Sequence, residues 1–110
     1  MIEPIKSLSV DVIPQAIVGL PVGKIAQRWQ HFSKESDDQD FFEGAAFKLD
    51  NEIEIAVRHY RGHPIDTTTI YIDRRERDVE HITRLIRKIM MELHIPEEAL
   101  RWERRQNPEL

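Results

Sequence analysis

Residues 47 to 58 read Phe-Lys-Leu-Asp-Asn-Glu-Ile-Glu-Ile-Ala-Val-Arg, and this stretch decides the fold. Phe47 and Leu49 alternate with Lys48, Asp50-Asn51 supplies turn chemistry, and Ile53, Ile55 and Val57 alternate with Glu52, Glu54 and Arg58. Apolar residues at every second position share one side of a strand, so the pattern predicts a β-hairpin with one buried face. Gly62, Pro64 and Asp66 mark the next turn. Thr67 to Asp73 is then β-branched and aromatic throughout, with Thr68, Ile70 and Ile72 on one side and Thr67, Thr69, Tyr71 and Asp73 on the other, which completes an antiparallel meander.

A sheet with one apolar face needs a cover. Asp78 is a good N-cap, and Val79, Ile82, Ile86, Ile89, Met90 and Leu93 form a stripe at helical spacing until Pro96, which predicts a helix from Asp78 to about His94. Upstream, Val22, Ile25, Ala26, Trp29 and Phe32 predict a shorter amphipathic helix from Pro21 to Phe32. The alternation from Ser7 to Ile13 predicts a strand ending at Pro14. After Pro96, a short helix from Pro96-Glu97-Glu98-Ala99 competes with a strand in which Leu100 and Trp102 alternate with Arg101 and Glu103, and the strand is preferred. The expected fold is α+β: a small antiparallel sheet of 3–5 strands covered by one long and one shorter amphipathic helix. It forms one compact domain over residues 1–110, with an acidic loop at 33–42 and a frayed tail at 103–110.

Length and composition agree with a single domain. The 110 residues are 40% hydrophobic and 33% charged, and a chain of this size buries enough surface to need no disulfide or structural metal. With no cysteine, zinc ribbons, thiol redox chemistry and cysteine nucleophiles are excluded. No apolar run approaches the roughly 18 residues that cross a bilayer, and Met1 is followed by Glu3 and Pro4, so the expectation is a cytoplasmic protein of bacterial type without a membrane partner. The net charge of −4 is local. Residues 1 to 34 carry +2, residues 35 to 54 carry −7 and residues 55 to 110 carry +1, because Glu35, Asp37, Asp38, Asp40 and Glu43 surround Phe41 and Phe42. Duplex binding needs a basic face that neutralises several phosphates, so nucleic acid is not the expected partner.

Catalytic signatures are thin. The glycines at 19, 23, 44 and 62 assemble no phosphate loop or dinucleotide fingerprint, and no Gly-x-Ser-x-Gly elbow occurs. His59, His63 and Asp66 are the one set resembling a ligand or acid-base cluster. Their spacing spans a strand end and a turn instead of one helix face, no third fixed ligand is evident, and neither a metal nor a cofactor is expected. Arg74, Arg75 and Arg77 crowd the start of the long helix, where the dipole favours acidic groups; they serve either a solvated turn or bound carboxylates or phosphate. Trp102, beside Arg101, Arg104 and Arg105, stacks on the sheet, seals the edge of the core or anchors an interface; Phe41-Phe42 either tucks back onto the sheet, the favoured reading because Gly44-Ala45-Ala46 follows, or is an acidic-aromatic recognition segment; Trp29 is assigned to the core. Three readings follow. The leading one is a non-catalytic protein-interaction or regulatory module, with Arg74, Arg75, Arg77, Trp102, Arg104, Phe41 and Phe42 as binding residues. Its partner is another protein or a second copy of the chain, met through an open sheet edge or a Met-containing helix surface. The alternatives are an enzyme acting on a phosphorylated or nucleic-acid substrate through His59, His63 and Asp66, and a nucleic-acid binder using the arginine clusters.

Overall fold

The computed structural model describes residues 2–26, 33–36 and 41–104. In chain order the elements are β1 (Ile2–Ile5), β2 (Val12–Val18), α1 (Val22–Ala26), β3 (Ser33–Ser36), β4 (Phe41–Leu49), β5 (Ile53–Tyr60), β6 (Thr68–Asp73), α2 (Val79–Glu92), a 3₁₀ turn (Glu97–Ala99) and β7 (Leu100–Glu103). The class is α+β. The sheet is larger than the 3–5 strands the sequence suggests: among the described residues seven strands, all antiparallel, run in the order β1-β4-β5-β6-β2-β7, with β3 also on β4. β1 pairs with residues 46–49 of β4 and β3 with residues 41–44, so the two share one edge end to end.

The meander forms as the alternation dictates. Asp50 and Asn51 both adopt positive φ (54° and 58°), and the Glu52 N–H bonds the Leu49 carbonyl at 3.0 Å, which is the primed turn that suits the twist of a hairpin. β4 also begins earlier than expected. Gly44 permits this, because a Cβ there would lie 2.2 Å from the Val57 carbonyl oxygen. The expected acidic loop at 33–42 is therefore replaced by strand at Ser33–Ser36 and from Phe41 onward, while residues 37–40 lie outside the described part. Cross-strand bonding to β4 overrides the missing apolar period.

β2 corrects a second expectation. Residues 6–11 form a bent strap, and the strand runs through Pro14 instead of ending there. Proline lacks the ladder donor, but the register shifts at Gln15, and β7 reaches only Ala16 to Val18, so Pro14 meets a partner on one side alone.

α2 starts at the Asp78 cap, whose carboxylate accepts the Glu80 N–H at 3.1 Å, and ends where His94 turns to a φ of 60° and the Ile95 N–H bonds the Met90 carbonyl. Its buried side is Ile82, Leu85, Ile86, Ile89 and Met90. With Val22 and Ile25 of α1 these residues pack on Phe47, Leu49, Ile55, Val57, Ile70 and Ile72, forming one core on one side of the sheet. Val79, counted on the stripe, is 37% exposed because it precedes the first turn that reaches the sheet. The shorter helix is described only to Ala26, and Trp29 and Phe32 lie outside the described residues. The ambiguous tail holds both alternatives in succession, a 3₁₀ turn and then a strand; of the expected frayed tail, Glu103 is in β7, and residues 105–110 lie outside the described part.

Candidate interaction face

The register separates the two sides of the sheet. Ala45, Val57, Ile70, Ala16 and Glu103 form one row across β4, β5, β6, β2 and β7 on the helix side. The next row, Gly44, Arg58, Thr69, Ile17 and Trp102, belongs to the opposite side, as does the row Ala46, Ala56, Tyr71 and Pro14. Every buried residue of α1 and α2 lies in the core on the first side, whereas Ile17, Tyr71 and Pro14 do not belong to that core. The second side therefore has no described helix over it.

Trp102 is 43% exposed there, an unusual state for the largest side chain. Half-buried Ile17 stands opposite it, and half-buried Pro14 and Tyr71 lie in the next row of the same side. The Arg58 guanidinium sits 5.0 Å from the Tyr71 ring centre and bonds the Tyr60 hydroxyl at 3.2 Å, while the Tyr60 and Tyr71 rings are 6.4 Å apart at a tilt of 55°. One end of this face is closed by the strap. Glu54, buried on β5, accepts the Ser9 N–H at 2.6 Å and the Ser9 hydroxyl. The hydroxyl bond is the main cause that holds the Glu54 carboxyl below its ordinary range against the opposing effect of burial. Asp73, also buried, is held low in the same way by Arg75.

The histidine set is drawn into its own turn. His59 Nε2 lies 3.2 Å from the His63 carbonyl and 3.1 Å from the Pro64 carbonyl, so this nitrogen donates to two backbone oxygens and presents no lone pair. Thr67 closes the same turn by donating its N–H and hydroxyl to the Pro64 carbonyl. The His63 ring packs 5.9 Å from Tyr60, and Asp66 is exposed at the tip. Among the described residues, no group of three or more His, Asp or Glu is placed to hold a metal ion.

The arginines diverge. Arg74 reaches Asp11 of the strap at 3.6 Å and its N–H bonds the Asp11 carbonyl, while Arg75 binds Asp73 through Nε at 3.1 Å from both oxygens and through a terminal nitrogen at 2.6 Å. The carboxylates that offset the mismatch at the start of α2 are thus intramolecular, and only Arg77 of the three is exposed without a described partner. Arg101 donates to the Glu98 carbonyl, and Arg104 is half-buried, its backbone N–H bonding the Gln15 carbonyl. Phe41 and Phe42 open β4 by their backbone; their side chains, and Arg105, lie outside the described part.

Two further features flank β7. Gln15 Nε2, one Arg87 terminal nitrogen, Glu103 Oε1 and Arg104 Nε are buried without hydrogen-bond partners, although Arg87 meets Glu103 at 3.4 Å through its other terminal nitrogen. Beside them an open groove of about 470 Å³ is lined by Arg87, Lys88, Met90, Met91, Ile95 and Glu97.

Trp102 is a candidate of the sequence by residue type, a late tryptophan among arginines. Ile17, Arg58, Tyr60 and Tyr71 are not, because their common face depends on β2 lying between β6 and β7. Compared with known protein families, curated proteins and solved structures, the chain finds no match.

Proposed function

We propose that this chain is a non-catalytic protein-interaction module that binds its partner through the sheet face carrying Trp102, Ile17 and Tyr71. The observation that carries the reading is the 43% exposure of Trp102 on a face without a described helix. Aromatic residues near Arg dominate the energetics of protein interfaces, and Tyr and Trp supply large contact areas at low entropic cost. The enzyme and nucleic-acid readings have less behind them: His59 Nε2 is turned to two backbone carbonyls, and Arg74 and Arg75, though exposed, each meet a carboxylate of their own chain.

The test is photo-cross-linking in the native host, with benzoylphenylalanine at Trp102 or Ile17 and a control at exposed Glu52. Discrete protein adducts at 102 and 17 but not at 52 are expected. Adducts absent from both positions on the face, or equal at Glu52, would refute the reading.

A further inference from the structure

We infer that the partner at the Trp102 end of this face is a second copy of the chain, which pairs antiparallel along the free edge of β7; the inference rests on the interaction reading above. β7 ends the sheet order, so its outer side meets no described strand. The Arg104 N–H points to Gln15 of β2, and Trp102 stands opposite Ile17 in the same alternation, which turns the N–H and C=O of Glu103 away from β2 toward the open edge. β7 is short, shifts register at Arg101 and carries two charged residues, which limits how far it can pair, but Leu100–Glu103 holds no proline to remove a donor, whereas the opposite edge carries Pro4 in β1.

Apolar side chains flank this edge on both sides. Trp102 lies on the face without a described helix, and on the helix side Met91 is 69% exposed. Met91 follows Arg87 by one helical turn, and Arg87 reaches Glu103, so the stripe carrying Met91 runs toward β7 beside the open groove. The charges are self-complementary. With a two-fold axis at Trp102, Arg101 stands in register with Glu103 of the second copy and Trp102 opposite Trp102, so no like charges face each other, although within each chain Arg101 already donates to the Glu98 carbonyl and Glu103 already meets Arg87. The extra residue at Arg101, where the β2–β7 register shifts, and the four-residue length of β7 restrict pairing to a short segment, which favours a closed dimer over an open-ended array.

The purified chain is expected to sediment at twice its 13.0 kDa mass, and Trp102→Lys and Met91→Lys, the latter at a solvent-exposed helix position, should each return it toward 13.0 kDa. The absence of cysteine permits a register test. Directly opposed residues of a non-hydrogen-bonded antiparallel pair have Cα atoms about 4.5 Å apart, within the roughly 4.4–6.8 Å of a disulfide. Trp102→Cys oxidised with diamide should therefore give a covalent dimer, and Asp66→Cys at the hairpin tip should not. A 13.0 kDa species persisting to about 1 mM overturns the inference, as does a dimer that both lysine variants leave intact. A monomer whose position 102 still cross-links to another protein removes the second copy alone; a monomer without adducts removes the interaction reading as well.

Discussion

Ile86→Ala tests the core directly. Ile86 is fully buried on α2, within the core formed with Ile55, Ile70, Ile72 and Phe47. The substitution removes three carbons, worth about 0.8 kcal/mol each in transfer, or about 2.4 kcal/mol, before any cavity is counted. α2 is pinned by the Asp78 cap at one end and by the Ile95 to Met90 bond at the other, so it cannot collapse freely into the space left behind, and the total belongs near the middle of the roughly 2–5 kcal/mol range for such truncations. A domain of this length has about 5–15 kcal/mol of stability in all. Urea denaturation followed by tryptophan fluorescence should show the midpoint falling by about 1–3 M with an unchanged slope. Val79→Ala is the internal control. Val79 sits on the same sequence stripe but is 37% exposed, and its truncation should cost under about 1 kcal/mol. Equal losses at the two positions would show that α2 does not present the face described, and a loss below about 0.5 kcal/mol at Ile86 would remove it from the core.

Two other perturbations follow from buried polar groups. Gln15→Met replaces an amide that is 1% exposed and has an unpaired Nε2 with an apolar side chain of similar length, and thermal denaturation should show a gain of about 1 kcal/mol; a loss would mean that the amide has a partner. Glu54 and Asp73 have folded-state values below their ordinary 4.5 and 3.8, so each contributes stability that is present above those values and lost as the pH falls through the lower folded ones. Glu54→Gln should therefore lower stability at pH 7 and flatten the decline below about pH 4.5, with faster amide exchange at Ser9; an acid limb identical to that of the parent would contradict the strap contact.

The legible parts of the fold are those whose signal is local. The β4–β5 turn needs only Asp50 and Asn51, and α2 needs only its own period and cap. β1 and β3 escaped notice because Ile-Glu-Pro-Ile and Ser-Lys-Glu-Ser have no strand pattern of their own; each is ordered by bonds to β4, more than 40 residues away for β1 and just along the chain for β3. β2 was displaced because proline normally ends a strand, and only the bulge at Gln15 and the short reach of β7 make Pro14 tolerable. Among candidate site residues, Trp102 stood out by type. The fate of His59 was hidden, because its two acceptors are backbone carbonyls that no side-chain pattern reveals.

The place of β2 in the sheet bears on synthesis. Both of its neighbours, β6 and β7, come later in the chain, so the apolar groups of β2 leave the ribosome before any strand exists to receive them. At about 5–20 residues per second, the interval between Val18 and Glu103 is on the order of 4–17 s. During that time β4, β5 and β6 can assemble from contacts between neighbours in sequence, which close fastest. β2 must then enter between β6 and a segment emerging from the exit tunnel. A nascent chain whose Asp73 has just cleared the exit tunnel would have every described strand except β7 outside, leaving the β7-facing side of β2 open to chaperones or to another nascent chain on the same message.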